Sequence, residues 1–139
     1  MLSVVLATQN KDKLAELQRM MGRTKFLVRP LSDFPKMPKV REDGATFEAN
    51  AEKKARVYSK KTHSLVIADD SGLEVRALGG RPGVYSARFA GKKCSYEDNN
   101  EKLIRLMRSV AWPKRDARFV SVIAAYDNGK KIGVVRGEG

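Results

Sequence analysis

Short apolar runs alternate with amphipathic segments from the start of the chain. The β-branched run Ser3–Ala7 predicts a buried strand. Over Lys11–Met21, apolar residues recur at spacings of three and four, which predicts a helix. Its apolar face would comprise Leu14, Leu17 and Met21.

The next segments repeat this alternation with a long interruption. Phe26–Val28 predicts a second strand, and the prolines that follow predict a loop over residues 29–44. Thr46 is expected to cap a helix that runs to about Lys61. The buried stripe of this helix is predicted to be Phe47, Ala51, Ala55 and Tyr58.

Two strand patterns flank a pair of adjacent carboxylates in the middle of the chain. SLVIAD at residues 64–69 predicts a strand, and Asp-Asp-Ser-Gly predicts a turn after it. LEVRAL at residues 73–78 alternates apolar and polar positions, which predicts a second strand with one wet face. The Gly/Pro-rich residues 79–91 predict an ordered loop.

The last third of the sequence predicts a helix and a hairpin. Ser95 is expected to begin the helix and Pro113 to end it, with Leu103, Ile104, Met107 and Val110 as its apolar face. Asn-Gly between Arg118–Tyr126 and Lys131–Val135 predicts a β-hairpin, because a tight turn needs positive φ angles. Strands alternating with helices therefore predict an α/β fold with a mixed sheet flanked by helices.

Composition narrows the class of protein. The 139 residues suit a single domain, and no apolar stretch reaches the roughly 20 residues that a membrane span needs. One cysteine and one histidine offer neither an internal disulfide nor zinc-ligand spacing. The N-terminus shows no signal-peptide pattern, so a cytoplasmic location is expected.

The net charge of +12 leaves three interpretations open: a solvated surface, a nucleic-acid-binding module, or attraction of a phosphate-bearing ligand. Basic pairs are spread along the chain, and the aromatic residues are not interleaved with them into one face. Nucleic acid is therefore the less favoured partner.

Candidate chemistry gathers where two predicted strands end. Parallel strands would open on one sheet edge, which is where ligands bind in open α/β sheets. After the first strand, a helix N-terminus with Thr8, Asn10, Lys11 and Lys13 suits an anion. After the later strand, Asp69 and Asp70 offer carboxylates.

Phosphate facing carboxylates needs a divalent cation between them, and Mg²⁺ is the usual choice. Glu42 or Asp43 could complete the cation pocket. Residues of these types at this spacing more often form an ordinary turn or loop, and the chain has no Walker A or G-x-G-x-x-G motif. The residues alone leave both interpretations open.

Four stretches add a family resemblance. LATQNKDKLAEL, EDGATFEANAEKKA, IADDSGLEVRALGGRPGVYSARFAG and ARFVSVIAAY resemble, in order and spacing, the inosine triphosphate pyrophosphatase family. The resemblance implies an elongated two-lobed α/β fold, a homodimer, and Mg²⁺-dependent cleavage of ITP, dITP or XTP to monophosphate and pyrophosphate.

The resemblance also implies roles for individual residues. Asp70 would be the general base and, with Glu42, would hold Mg²⁺. Asp69 would be a supporting acid and Ser71 would touch the substrate. The triphosphate would be cradled by Thr8, Gln9, Asn10, Lys11, Asp12 and Lys13.

The sequence departs from the family pattern in two places. Gln9 stands where many relatives have glycine or another small residue. The chain ends at RGEG, without the later family segments that recognise the base. We therefore expect a C-terminally truncated single domain with weak selectivity for inosine over adenine. A catalytically silent relative that only binds nucleotide is the alternative.

Overall fold

The computed structural model describes residues 2–8 and 10–139, which form five strands and three α-helices. The strands are β1 (Leu2–Ala7), β2 (Phe26–Pro30), β3 (Leu65–Val75), β4 (Ala117–Asp127) and β5 (Lys130–Glu138). The α-helices are α1 (Lys11–Met21), α2 (Phe47–Thr62) and α3 (Tyr96–Met107). Short 3₁₀ segments lie at Leu31–Asp33, Arg76–Leu78, Gly83–Arg88 and Trp112–Lys114.

The strands form one mixed sheet in the order β2-β1-β3-β4-β5. β1 pairs in parallel with β2 and with β3. Phe119 and Gly139 exchange both backbone hydrogen bonds, which is the antiparallel pattern, so β4 and β5 form a hairpin. The predicted α/β fold with a mixed sheet flanked by helices is confirmed.

The predicted hairpin turn is also confirmed. Asn128 and Gly129 have φ angles of 46° and 85°, as a tight two-residue hairpin turn requires. The backbone N–H of Gly129 donates to the Ser59 hydroxyl at 2.9 Å, which fastens the turn to α2.

Helix α2 supplies much of the core, as its sequence pattern predicted. The Thr46 side chain accepts a hydrogen bond from the backbone N–H of Ala49 at 3.0 Å and so caps the helix. The whole predicted stripe is buried: Phe47, Ala51, Ala55 and Tyr58. By contrast, none of the eleven described residues of α1 is fully buried.

The predicted turn at Asp-Asp-Ser-Gly is wrong, because β3 runs without a break from Leu65 to Val75. Turn-forming residue types do not bend this segment, since it is a central strand of the sheet and tertiary pairing overrides local preference. The predicted strand over residues 73–78 is consequently the second half of β3. It gives way at Arg76 to a 3₁₀ segment.

Three smaller expectations also fail. β2 extends to Pro30, which is compatible with its place at a sheet edge, where a missing N–H costs no ladder bond. The predicted loop over residues 79–91 contains a 3₁₀ segment. Helix α3 ends at Met107 rather than at Pro113, and Ile104 is exposed while Leu106 is half-buried in its place.

The chain divides into two compact units. The first comprises Met1–Asp70 and Val122–Val135, and the second comprises Ser71–Ser121 and Arg136–Gly139. Helices α1 and α2 belong to the first unit and α3 to the second. Among the described residues, no helix is both long enough and apolar enough to cross a membrane.

Candidate active site

Two adjacent acids follow the point where β1 and β3 stop pairing. The last partners in that parallel register are Ala7 and Ala68, so the next residues are Thr8, directly after the end of β1, and Asp69, within β3. The exposed fraction is only 8% for Asp69 and 7% for Asp70. Buried carboxylates are costly unless they are paired, so their presence at this edge of the sheet indicates a site.

Asp69 and Asp70 project from opposite faces of β3, because successive side chains alternate along a strand. The connections β1-α1-β2 and β2-α2-β3 run in opposite directions across the sheet. Since such crossovers are right-handed in nearly all proteins, α1 and α2 cover opposite faces. Asp69 contacts a side chain of α1, so Asp70 lies on the face of α2.

The partner of Asp69 is Lys13. The Nζ of Lys13 lies 2.7 Å from the Oδ2 of Asp69, in a charge-assisted hydrogen bond between α1 and β3. Lys13 is in the first turn of α1, which begins at Lys11, and only three residues separate this helix from the end of β1. The structure thus brings a predicted phosphate-binding residue, Lys13, together with one of the two predicted acids, Asp69.

Asn10 caps helix α1. Its Oδ1 accepts hydrogen bonds from the backbone N–H groups of Asp12 at 3.0 Å and Lys13 at 3.2 Å. The Thr8 hydroxyl accepts from the backbone N–H of Asn10 at 3.2 Å. For a phosphate to use the amides of Asp12 and Lys13, the Asn10 side chain would have to move away.

The other predicted site residues lie in different surroundings. Lys11 and Asp12 are exposed on the first turn of α1. Gln9 lies outside the described residues. Ser71 follows Asp70 in β3, is half-buried, and belongs to the second unit.

Residues 41–44, here called the acidic segment, are attached to α2. The Nζ of Lys54 lies 2.7 Å from the Oε1 of Glu42. The Nζ of Lys53 lies 2.8 Å from the Oδ1 of Asp43, and this hydrogen bond lowers the pKa of Asp43 below its ordinary value. The acidic segment and Asp70 thus lie on the same face of the sheet as α2.

Sequence reasoning missed Lys53, Lys54 and Asn50, the α2 residues that contact this segment. The available signal was their spacing, since residues three and four positions apart lie on one face of a helix. Lys53-Lys54 also differs from the other four basic pairs, Lys60-Lys61, Lys92-Lys93, Lys114-Arg115 and Lys130-Lys131: both of its lysines are half-buried.

The carboxylates fit Mg²⁺ better than they fit a metal that needs a closed protein cage. Within residues 2–8 and 10–139, no group of three or more His, Cys, Asp or Glu side chains is arranged to hold a metal ion. Mg²⁺ usually takes only one or two carboxylates and completes its shell with water and substrate phosphate. Asp70 and Glu42 supply hard oxygen donors of that kind.

A cavity of about 420 Å³ lies in the second unit and is lined in part by Glu74, Arg76 and Asp116. Two of these side chains pair with each other, because an Nη of Arg76 lies 3.6 Å from Asp116. The lining includes none of the described residues named above as site candidates. The chemistry gathered around Asp69 and Asp70, rather than this cavity, defines the candidate site.

The fold and these residues define an α/β protein with acids and lysines at the carboxyl edge of parallel strands, an arrangement suited to phosphorylated ligands. The chain belongs to the Ham1 family, whose family model matches residues 4–139. The resemblance drawn from the sequence is thereby confirmed.

Similar proteins carry names that describe an activity. The chain is 46% identical over 128 residues to the dITP/XTP pyrophosphatase of Shouchella clausii, a match that covers 92% of this chain and 64% of that protein. It is also 46% identical over 138 residues to the dITP/XTP pyrophosphatase of Geobacter sulfurreducens, covering 99% of this chain and 69% of that one. The chain thus spans about two thirds of the length of these relatives.

Solved structures agree with the fold. A HAM1 protein from Coxiella burnetii superposes with a TM-score of 0.89 at 37% identity, covering 100% of this chain and 70% of that one. The Ham1 protein of Staphylococcus aureus gives a TM-score of 0.86 at 38% identity, covering 98% and 69% of the two chains.

Proposed function

We propose that this chain carries the catalytic machinery of a Mg²⁺-dependent pyrophosphatase of non-standard purine nucleoside triphosphates such as ITP, dITP and XTP. The products would be the nucleoside monophosphate and pyrophosphate. Membership of the Ham1 family and the names of the relatives from Shouchella clausii and Geobacter sulfurreducens support this activity.

The observation that carries the proposal is the contact between Lys13 and Asp69 beside Asp70. It joins the N-terminal turn of α1, which is proposed to bind phosphate, to Asp69 on the neighbouring parallel strand. Asp70 follows Asp69 on that strand and is buried on the face of α2. A strand with a purely structural role would not need two adjacent aspartates that are more than nine-tenths buried as residues.

In this proposal the lysines bind the triphosphate. Lys13 is positioned by Asp69, and Lys11 in the same helical turn adds charge near the positive end of the α1 dipole. Lys54 would exchange Glu42 for a phosphate oxygen when substrate binds. Such positioning and charge neutralisation account for most of the catalysis of phosphoryl transfer.

Asp70 is proposed as the general base. Its carboxylate would orient a water molecule toward the α-phosphorus and take a proton from it. The water oxygen then bonds to the α-phosphorus while the bond to the bridging oxygen of the β-phosphate breaks, so pyrophosphate leaves. Mg²⁺, held by Asp70 and Glu42, would neutralise charge on the phosphates.

The proposal also includes a homodimer, as the family resemblance implies, and a cytoplasmic location. Ser71 as a substrate contact and the remaining predicted phosphate-binding residues, Thr8, Gln9, Asn10 and Asp12, stay predictions.

The test is pyrophosphate release from dITP and dATP with Mg²⁺. We expect Asp70→Asn to lower kcat by about 10²- to 10⁴-fold, the usual contribution of a general base. Asp33→Asn is the matched control, because Asp33 is an exposed aspartate that pairs with Arg29 at 3.5 Å on the protein surface. Asp70→Asn with at least a third of wild-type activity, or a wild-type protein that releases no pyrophosphate from dITP, would contradict the proposal.

A further inference from the structure

The acidic segment is held to α2 by contacts of two kinds. The exposed or partly exposed contacts are two ion pairs, Lys54 with Glu42 and Lys53 with Asp43, and a hydrogen bond from the Lys53 Nζ to the backbone oxygen of Arg41 at 2.9 Å. The Lys53–Asp43 pair is open to solvent, since the exposed fractions of the side chains are 34% and 60%. Exposed pairs of this kind contribute little rigidity.

A contact of the second kind, between Asn50 and Gly44, is buried. Asn50 has an exposed fraction of 0%, and its Oδ1 accepts a hydrogen bond from the backbone N–H of Gly44 at 2.7 Å. The fit around this contact is close: a Cβ on Gly44 would lie 2.7 Å from the Asn50 Oδ1 and 2.9 Å from the Ala49 Cβ. The position therefore admits only glycine without a shift of the segment.

The two kinds of contact behave differently when a cation binds. If Glu42 turns its carboxylate to a cation and Lys54 moves to a phosphate oxygen, as proposed above, their ion pair opens. The bond between Asn50 and Gly44 uses only the backbone of the segment, so it persists through that exchange. It then remains as the shielded contact that fixes the Glu42 backbone relative to α2.

We infer that Asn50 is a positioning residue, which acts through Gly44 to set Glu42 for binding a divalent cation. The inference rests on the proposed function, because it takes Glu42 as a ligand of the cation. Asn50 touches neither substrate nor cation in this scheme. Its effect is on the affinity for the cation.

Two variants break the same contact from opposite sides. Asn50→Leu keeps a similar side-chain shape but removes the acceptor, while Gly44→Ala keeps Asn50 and displaces the segment. We expect each to raise the dissociation constant for Mn²⁺, titrated as a probe by electron paramagnetic resonance, by about 10-fold, since residues that orient a metal ligand typically change metal affinity by that factor. The Mg²⁺ concentration for half-maximal dITP hydrolysis should rise in parallel, while kcat at saturating Mg²⁺ stays within about threefold.

Ser59→Ala is the matched control. Ser59 is also fully buried on α2, and its hydroxyl accepts a hydrogen bond from the backbone N–H of another glycine, Gly129, at 2.9 Å. This variant should lose stability without a change in Mn²⁺ affinity.

The inference is overturned if both Asn50→Leu and Gly44→Ala bind Mn²⁺ within about twofold of Ser59→Ala, a difference below the 10-fold effect expected for an orienting residue. If the wild-type protein hydrolyses dITP and this result is found, the proposed function stands and only the role of Asn50 fails. If the wild-type protein neither binds Mn²⁺ nor hydrolyses dITP, both fail.

Discussion

Asp69 and Asp70 are neighbours in the sequence, but their side chains lie on opposite faces of β3. Their residue types and their place after an apolar run were enough to identify them as candidates. Their opposite orientations could not be predicted, because Asp-Ser-Gly indicated a turn, and alternation of side chains holds only while the backbone stays extended. Knowledge of the sheet was needed to assign Asp69 to the side of α1 and Asp70 to that of α2.

At the residue scale, we expect Lys13→Met to lower the free energy of unfolding by about 1–2 kcal/mol, because it removes a charge-assisted partner from a buried carboxylate. The double variant Lys13→Met/Asp69→Asn should recover part of this loss, since it no longer buries that charge. Urea unfolding of the two single variants and the double variant measures the coupling. Strictly additive effects would show that the Lys13–Asp69 contact contributes nothing to stability.

At the scale of elements, apolar periodicity predicted the helices well and their ends less well. The stripe of α2 was predictable because a helix that packs on a sheet must bury one face. Helix α3 was harder, since it is amphipathic yet none of its twelve described residues is fully buried. With little packing to enforce the pattern, Ile104 is left exposed.

Weak burial makes the cap of α3 important. The Ser95 hydroxyl accepts from the backbone N–H of Asp98 at 3.1 Å, and the backbone N–H of Ser95 donates to the Asp98 carboxylate at 2.9 Å. We expect Ser95→Ala to cost about 1 kcal/mol of stability and to speed hydrogen exchange in the first turn of α3. Ser109→Ala, which changes an exposed serine beyond the helix, should do neither. Unchanged exchange in Ser95→Ala would contradict this role of the cap.

At the scale of the whole molecule, the α/β class and the late hairpin were predictable, because alternating strand and helix patterns allow few topologies. The strand order and the continuous β3 were not, since they depend on contacts between distant residues. The +12 charge predicted an anionic partner without locating it. Lys53 and Lys54, which contact the acidic segment, carry the same charge as the other lysines of the chain. What sets them apart is their position on α2.

Stability is expected to depend on pH through a cluster in the first unit. Glu52 accepts hydrogen bonds from Lys131 at 2.8 Å and from the Tyr126 hydroxyl at 2.9 Å. The Lys131 contact, aided by Tyr126, lowers the pKa of Glu52 below its ordinary value of 4.5. The contribution of Glu52 to the free energy of unfolding is therefore fully present above pH 4.5 and is lost as the pH falls through the lowered pKa of Glu52.

At alkaline pH the dependence of stability on pH has the opposite direction. Burial, aided by Glu52, raises the pKa of Tyr126 above 10.0, and the contact with Glu52 raises the pKa of Lys131 above 10.5. The contributions of Tyr126 and Lys131 to stability are fully present below their ordinary pKa values. They are lost as the pH rises through the raised pKa values. We expect the stability advantage of the wild type over Glu52→Gln to be greatest near neutral pH and to shrink toward both extremes.

Urea unfolding at several pH values measures that advantage, with Glu16→Gln, an exposed glutamate of α1, as the control. If the free energies of unfolding of the wild type and Glu52→Gln differ by the same amount at every pH, the Glu52 cluster is not the source of the pH dependence.

The unbroken course of β3 constrains how the gene can change. Where functional side chains stand on a loop, an inserted or deleted codon shifts them only slightly. Here the gain of one residue between Ala68 and Asp69, or the loss of Ala68, would move each acid to the other side of the sheet. The first acid would then face away from Lys13 and the second away from α2. The length of this strand is thus as important to the site as the identity of its two acids.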